Sequence, residues 1–532
     1  MNIESLTRIR TIITTDLLIR LRRTSTIFLF LVLCVAAYQF IPDPATGNAL
    51  GQFDNHRALY NSAFLAVGTG MLCAFLLGFF GFYLTSNTIG RDIQTRTGFV
   101  IASTAVHNWE YLIGKFLGNC AFLGTIISGF AASAMVMQLI RGEAPVEPLV
   151  FVTHYVFILL PMVVFVSALA ITFESIPLLS GKLGSGVYFL VWLFTITIPT
   201  IGMAVSRSIQ KPHFTAYFDV YSMAMVIRQL QFVFQTESVS IGAAEFDPTL
   251  APVVFPGFSF QAGFVLPWLS STLLPLVLLG VVSLIFHRFN PAKLKASTQK
   301  SKNSWLVKIN ELVKPLTGRM VGLLERLQSI THGPTLGNSI LTEFFLTLRL
   351  NPMSLLFMVG LGVASLVNPV SKLQAGVLPL LCAVVILLIA DVSTRDRRSG
   401  TLGLFLATPH NREQFVAVKF ASTLLLVLCF TVIPMVKLVF AAPSAALSLA
   451  IGSVWLAAST TCLGILTENP KTFTCLFFFV WYLAINSGNK MPALDFAGWY
   501  GVATPAIQAT YAGIAFGMLV LAFFGRKWKE QT

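Results

Sequence analysis

The sequence predicts an all-α polytopic membrane protein with about 12 transmembrane helices, arranged as two parallel six-helix repeats. Three observations predict this fold class. The 532 residues are 55% hydrophobic and only 11% charged, with a mean hydropathy of +0.77, far from the balance of a soluble domain. The apolar residues form runs long enough to cross about 30 Å of hydrocarbon as helices. Motifs of the first half also recur in the same order in the second half.

The apolar runs give the positions of the predicted spans. They lie near residues 25–41, 63–85, 114–140, 149–172, 184–203, 263–286, 353–367, 375–392, 415–436, 443–466, 472–487 and 504–525. Each run can satisfy its backbone hydrogen bonds within one helix, as a lipid environment requires.

The cations predict the orientation of these spans, because Lys and Arg are retained on the cytoplasmic side of short loops. With a cytoplasmic N-terminus, all but eight of the 36 Lys and Arg residues lie on the inner side. The eight exceptions are Arg57, Arg141, Arg207, Lys211, Arg228, Lys372, Lys437 and Lys490. Both termini are therefore predicted to be cytoplasmic, as in a bacterial inner membrane protein. The net charge of +14 indicates contact with membrane lipid, and we expect no nucleic-acid partner.

Amphipathic segments outside the spans predict the domain boundaries. The N-terminal stretch IESLTRIRTIITTDLLIRLRR has apolar residues at helical spacing among arginines, which is typical of a helix in the membrane interface. An ordinary positive flank that fixes topology is the alternative. We expect a first six-helix half over 1–287 with enlarged outer loops at 42–62 and 205–262. A cytoplasmic amphipathic linker over 288–336 and a second half over 337–532 follow.

The internal repeat is most specific in the loops after the second span of each half. Arg91–Asp92 and Lys115 recur as Arg395–Asp396 and Lys419, at a constant offset of 304 residues. Upstream, the segment Thr15–Arg22 is similar to Thr342–Arg349. Downstream, Glu174 before a proline corresponds to Glu468 before a proline. The common order of these matches predicts two halves in the same orientation.

The second of these loops, RDRRSGTLGLFLATPHNREQFVAVKF, has a readable local pattern. We expect Arg395 to Arg398 to face solvent or lipid phosphate. Leu402, Phe405 and Leu406 form an i, i+3, i+4 apolar face that can rest on the helix bundle. Thr408–Pro409 ends that helix, and Pro409 can open a short exposed helix that runs back toward the third span.

This loop resembles the one between the second and third helices of type-2 ABC exporter permeases. The family pattern is an acidic-basic pair, Gly-Thr-Leu, a Leu-rich turn, Thr-Pro and a charged helix that ends at Lys. Asp396 stands where the family more often has Glu. The first copy departs further, with Arg96 for the Gly and Ala105 for the Pro, and is expected to bind its partner differently or less tightly.

The resemblance implies that Pro409–Glu413 is a coupling helix that docks on a nucleotide-binding subunit, and that 342–350 and the N-terminal stretch are interfacial connecting helices. The implied coupling residues of the second half are Arg395, Asp396, Gly400, Thr401, Pro409, Asn411, Arg412, Glu413 and Lys419. Those of the first half are Arg91, Asp92, Thr97, Ala105, Trp109, Glu110 and Lys115.

The chain itself is predicted to be a permease subunit and not an enzyme. No phosphate-binding GxxxxGK[ST] loop occurs in the sequence, so ATP and Mg²⁺ are expected on two separate cytoplasmic ATPase subunits. We predict no catalytic residue, metal site or cofactor in this chain. The exported substrate is not identified by the sequence.

Two other functions stay open at this point. A secondary transporter of the major facilitator type also has twelve spans in two repeats and a charged loop after its second span. A membrane scaffold without transport activity is the third possibility. His154, Asp391 and Lys437 are the polar residues within predicted spans that deserve attention, although all three lie near span ends, where snorkelling is the simpler explanation.

Overall fold

The regular structure of the described residues is helical apart from one small antiparallel sheet. The computed structural model describes residues 3–22, 36–44, 48–54, 56–176, 179, 182–205, 213–236, 239–247, 249–258, 262–286, 322, 324, 326, 328, 335–407 and 409–531. The chain divides into two units, Met1–Gln299 and Lys300–Thr532.

The first unit contains nine helices, a short 3₁₀ segment and three strands within the described ranges. The helices are α1 (Ile3–Leu21), α2 (Ser62–Thr85), α3 (Thr88–Gln94), α4 (Thr97–Ser103), α5 (Asn108–Arg141), α6 (Pro148–Ser175), α7 (Lys182–Val205), α8 (Met223–Phe234) and α9 (Ala262–Ile285). The 3₁₀ segment is Phe214–Phe218, and the strands are β1 (Asn48–Phe53), β2 (His56–Arg57) and β3 (Val239–Glu245).

The regular secondary structure of the second unit is all helical in its described part. Its helices are α10 (Leu336–Leu350), α11 (Met353–Val367), α12 (Val370–Ile389), α13 (Arg395–Arg398), α14 (Leu402–Leu406), α15 (Pro409–Ala441), α16 (Pro443–Thr467), α17 (Pro470–Ser487) and α18 (Pro505–Gln531). Helix α12 includes a π-helical turn at Leu373–Val377, and two 3₁₀ turns follow α17 at Gly488–Lys490 and Pro492–Leu494.

Nine helices of the described part are long and apolar enough to cross a membrane, and α10 with α11 would make a tenth as one span bent by 93°. This confirms an all-α polytopic membrane protein. The predicted span at 25–41 lies mostly outside the described residues. Helix α17 occupies the predicted span at 472–487 but is not among the nine. The total of about 12 spans therefore stays a prediction.

The core of the first unit is built on α2 and α6. The apolar stretches of these two helices are 78% and 89% buried. Helix α2 begins where the Asn61 side chain accepts a hydrogen bond from the Phe64 N–H, a standard N-cap. Helix α6 begins with Pro148, which lacks the N–H that would have no partner there. The Phe82 ring of α2 stacks on the Tyr188 ring of α7, with 3.8 Å between the ring centroids. This aromatic contact joins α7 to the core.

The two enlarged loops of the first unit fold together at the opposite end of the helices from α1. Strand β1 pairs with β2 on one side and with β3 on the other, with Gln52 opposite Ser240. Gly51 is required here, because an added Cβ would lie 2.6 Å from the ring of Phe64. Arg57 also forms a two-pronged ion pair with Glu143 at 2.6 Å. The described parts of the loops at 42–62 and 205–262 thus form one folded element, and not two separate insertions.

The predicted helix at the N-terminus is present as α1, its location in the membrane interface stays a prediction, and its buried face differs from the expected apolar stripe. Ile9 is buried as expected, whereas Leu6 is half exposed. The charged residues Asp16 and Arg20 are buried instead, because α1 packs along α5. Gly114 of α5 permits this approach, since a Cβ there would lie 2.8 Å from the Ile12 side chain.

The predicted linker at 288–336 lies almost wholly outside the described residues, and the three-part division of the chain stays a prediction. Within the outer loop at 205–262, helix α8 occupies Met223–Phe234, and Asp219 accepts hydrogen bonds from the Met223 and Met225 N–H groups at its start.

Lys437 closes the end of a neighbouring helix. Its Nζ donates to the carbonyl oxygens of Ser365 at 2.9 Å, Leu366 at 2.8 Å and Asn368 at 2.5 Å, at the C-terminus of α11. A cation there satisfies orphan carbonyls and complements the helix dipole. Lys437 therefore lies near a span end, as expected, and its specific role there is to cap α11.

Replacing Lys437 with Met is expected to lower the free energy of unfolding by about 1–2 kcal/mol, because the carbonyls at the end of α11 lose a charged donor. Titration of the purified protein with a denaturing detergent, followed by tryptophan fluorescence, measures this loss. Lys372→Met changes an exposed lysine and should have almost no effect. An equal loss in the two variants would contradict the capping role.

Candidate functional site

The second Arg-Asp loop follows α12 and consists of two short helices before α15. Helix α13 ends in a turn at Gly400, whose φ of +74° favours glycine. The Thr401 N–H then donates to the Asp396 carbonyl at 2.9 Å, and α14 follows. The predicted apolar face of α14 is confirmed, since Leu402, Phe405 and Leu406 pack on a core that includes Phe415.

A buried ion cluster lies at the base of this loop. Lys419 is fully buried, and its Nζ contacts Glu343 Oε1 at 2.9 Å and Asp396 Oδ2 at 2.6 Å. Arg395 pairs with the same Glu343 carboxylate and donates to Thr347 Oγ1 at 3.1 Å. Two cations and two carboxylates balance, as buried charges must to be tolerated. The cluster connects α10, α13 and α15.

A corresponding cluster lies in the first unit. Asp16 of α1 pairs with Arg91, with Arg20 at 3.1 Å and with Lys115 at 3.2 Å. Asp92 contacts Lys115 Nζ at 2.8 Å. Helix α1 is thus connected to the first loop through α3 and to the start of α5.

The polar surroundings of this cluster extend its network. Arg20 donates to Asn119 Oδ1 at 2.7 Å, and the Tyr111 hydroxyl donates to Asp92 at 2.7 Å. Burial raises the pKa of Asp16, but the attraction of Arg20, Lys115 and Arg91 outweighs it, so the pKa of that carboxyl lies below its ordinary value of 3.8. Asp16 is therefore expected to be ionised at neutral pH.

Four positions make the same kinds of contact in the two units. A carboxylate on the amphipathic helix binds the arginine of the Arg-Asp pair and the lysine of the following long helix, and the aspartate of the pair binds that lysine. The positions are Asp16 and Glu343, Arg91 and Arg395, Asp92 and Asp396, and Lys115 and Lys419.

The prediction that Arg395 to Arg398 face solvent or lipid is wrong for Arg395 and Asp396. The Arg395 side chain is only 13% exposed, because it reaches the Glu343 carboxylate, and the Asp396 side chain is 15% exposed, because it contacts the buried Lys419. Arg397 is exposed but pairs with Glu468 at 2.6 Å, and Arg398 is exposed. The acidic partners Asp16 and Glu343 were not among the predicted site residues. Their position on otherwise apolar amphipathic segments was the available signal.

Carboxylates at the end of the fourth predicted span of each half also hold the loops. Glu174, in the last turn of α6, accepts hydrogen bonds from the N–H groups of Ile89 at 2.6 Å and Thr88 at 3.0 Å, at the start of α3. Glu468 follows α16 and binds Arg397. The repeated glutamates found in the sequence are thus both loop anchors.

The remaining predicted residues lie toward the exposed tips of the loops. Thr97, Gly400 and Thr401 are exposed, and so are Ala105 and Trp109, the latter with 37% of its surface accessible. Glu110 is buried instead. It accepts the His107 N–H at 2.8 Å as part of a capping box, and it also accepts a hydrogen bond from the Ser5 hydroxyl of α1. Arg8 of α1 donates to the Ala105 carbonyl at 3.0 Å.

The second tip is organised differently from the expected short helix. Pro409 opens a helix as predicted, but α15 continues without interruption for 33 residues. The segment Pro409–Glu413 is therefore the first turn of a predicted span, and not a separate coupling helix. Arg412 and Glu413 are exposed on this turn, whereas the side chains of Pro409 and Asn411 lie outside the described residues.

The polar residues of the predicted spans do not converge on one site. His154 is buried in α6, where its Nδ1 contacts the Val150 carbonyl at 2.7 Å and its ring packs against Phe258. Asp391 is buried just after α12, and its carbonyl accepts the Arg395 N–H at 2.9 Å. Lys437 caps α11, as described above.

Comparisons with protein family models, with curated proteins and with solved structures give no match to this chain.

Proposed function

We propose that this chain is the transmembrane permease subunit of an ATP-binding cassette exporter, which couples ATP hydrolysis by two separate cytoplasmic ATPase subunits to substrate movement. The observation that carries the proposal is the construction of the two loops. Each is fixed at its base by a buried ion cluster and presents exposed side chains beside the start of a long apolar helix.

This construction suits transmission of force from a soluble partner. A push on Arg412 and Glu413 acts directly on α15, because both residues belong to its first turn. The Lys419 contacts to Glu343 and Asp396 carry the displacement to α10 and α13. Trp109 of α5 has the same place in the first unit, near Lys115 and Asp16.

The proposal includes the finer organisation expected from the sequence. Two parallel six-helix repeats, about 12 spans, cytoplasmic termini and an inner-membrane location would place both loops on the side of the ATPases. The matching contacts of the two clusters support the repeat. Export as the direction rests on the family resemblance of the loop 395–420.

Replacing both Arg412 and Glu413 with Ala is expected to weaken association with the ATPase subunits about tenfold or more, because exposed charged residues of an interface can each contribute a large share of binding. Co-purification and permease-stimulated ATP hydrolysis measure the loss. Trp109→Ala should have a smaller effect, since the first loop departs from the family pattern.

Lys372→Ala provides the matched control, because this exposed lysine lies at the start of α12 whereas the loop follows the end of that helix. Unchanged association and hydrolysis in the Arg412/Glu413 double variant would refute the docking assignment. Transport that persists in ATP-depleted vesicles with an ion gradient would favour a secondary transporter of the major facilitator type.

A further inference from the structure

The second unit contains a cavity of about 120 Å³ between α14, α16 and α18. Leu402, Leu406, Phe415 and Ile465 form apolar walls, and Ser393, Arg397, Glu468 and Arg526 supply polar groups. The two arginines and one glutamate give the lining a net charge of +1. This cavity is separate from the ion cluster of Lys419, and the exposed tip of the loop does not line it.

One polar group of the lining is built in without a partner. Ser393 is 7% exposed, and its Oγ has no hydrogen-bond partner among the described residues. A buried hydroxyl without a partner costs free energy. A ligand that accepts this hydroxyl's hydrogen would remove the cost.

Arg526 makes the lining selective for anions. It is 9% exposed, and its guanidinium lies 4.0 Å from the centroid of the Phe415 ring. Stacking on the ring fixes the plane of the guanidinium, whose forked donors match phosphate oxygens. Arg397 contributes a second guanidinium, which pairs with Glu468 at 2.6 Å.

The cavity lies at the ends of two candidate spans, since Ile465 is in the last turn of α16 and Arg526 is near the end of α18. Such ends meet the headgroup layer of a bilayer. The volume corresponds to roughly four water molecules at about 30 Å³ each, which suffices for a phosphate group but not for a whole lipid. The apolar walls can contact the first carbons attached to that phosphate.

We propose that this cavity binds the phosphate of an anionic amphiphile, an anionic phospholipid in the membrane, through Arg526 and the Ser393 hydroxyl. The inference does not rest on the proposed transport function. It assigns a headgroup site to the second unit whether or not an ATPase docks on the neighbouring loop.

The test uses the full chain purified in a nonionic detergent. Dihexanoyl phosphatidylglycerol is titrated while the thermal unfolding midpoint is followed, with dihexanoylglycerol, which lacks the phosphate, as the matched ligand. The phospholipid should raise the midpoint in a saturable way, and dihexanoylglycerol should not. Arg526→Gln should weaken the phospholipid's apparent affinity about tenfold.

Ser393→Ala tests whether a lower affinity for the phospholipid results from a lost contact and not from impaired folding. Without ligand, this variant should be at least as stable as the wild type, because it removes an unpartnered hydroxyl, yet its affinity for the phospholipid should fall. Arg398→Gln, an exposed arginine outside the lining, should bind like the wild type.

The outcomes separate the sources of the phosphate. Saturable stabilisation by glycerol 3-phosphate or inorganic phosphate at similar concentrations, lost in Arg526→Gln, would support the phosphate site and assign it to a free anion. Equal stabilisation by phosphatidylglycerol and dihexanoylglycerol would overturn the proposal, and so would identical phospholipid titrations in wild type, Arg526→Gln and Ser393→Ala.

Discussion

Lys419→Met is expected to destabilise the second unit by about 3–5 kcal/mol, the cost of removing one partner from a buried ion cluster. Lys419 is fully buried and is the only described cation that contacts Asp396 within 4 Å. Its loss leaves the Asp396 carboxylate in a buried environment without its counter-charge, while Glu343 keeps Arg395. Titration with a denaturing detergent, followed by tryptophan fluorescence, measures the change.

A second substitution should recover much of this loss. In Lys419→Met/Asp396→Asn, the uncompensated carboxylate is gone, so the double variant should be more stable than Lys419→Met alone. Asp396→Asn alone should be destabilising, because it leaves Lys419 with Glu343 only. Purely additive effects in this double-mutant cycle would show that the two side chains do not interact. Arg398→Met, which changes an exposed cation of the same loop, controls for charge.

Much of the fold follows from composition and periodicity. The apolar runs located the nine candidate spans of the described part, and the spacing of Leu402, Phe405 and Leu406 identified a packed face. The repeat also identified the residues of the clusters, since Arg91, Asp92 and Lys115 recur together in the second half. Such local patterns are visible because each depends on neighbours within one helix or loop.

Whether these charged side chains point into the unit or toward solvent could not be predicted in the same way. Arg91 turns away from solvent to pair with Asp16, 75 residues away, and Arg395 does so to pair with Glu343, 52 residues away. Without those partners, a charged loop in an apolar chain is expected to face solvent. The sheet presents the same difficulty, because Gln52 pairs with Ser240, which is 188 residues further along the chain. The extent of α15 was missed because a proline at the first turn fits a short helix as well as a long one.

The buried ion clusters change the interpretation of the repeated loops. Their most regular positions hold the loop to its own unit, while the residues that differ between the halves, such as Ala105 and Pro409, lie near the tips. If soluble partners dock at the loop tips, the two units can combine similar ion clusters at the loop bases with different docking surfaces at the tips. Substitutions at the base should then affect stability first, and those at the tip should affect association first.

The first unit offers the second large effect, at Asp16. Asp16→Asn is expected to lower the free energy of unfolding by about 3–5 kcal/mol, because Arg20, Arg91 and Lys115 lose the buried carboxylate that all three contact. Glu4→Gln is the matched control on the same helix, since the Glu4 side chain is 83% exposed. Detergent titration at neutral pH measures the two variants.

The contribution of the Asp16 carboxylate should also appear as a loss of folding stability at acidic pH. The folded-state pKa of Asp16 lies below its ordinary value of 3.8, so its stabilising contribution is present above that value and is lost as the pH falls from 3.8 toward the lowered pKa. Asp16→Asn has no such group to titrate, and its stability should therefore fall less steeply over that interval than the stability of the wild type. Parallel pH profiles in the two proteins, or a loss in Glu4→Gln equal to that in Asp16→Asn, would contradict the assignment of Asp16 as the centre of the cluster. A steeper profile in the wild type alone would identify Asp16 as a carboxylate whose protonation destabilises the fold.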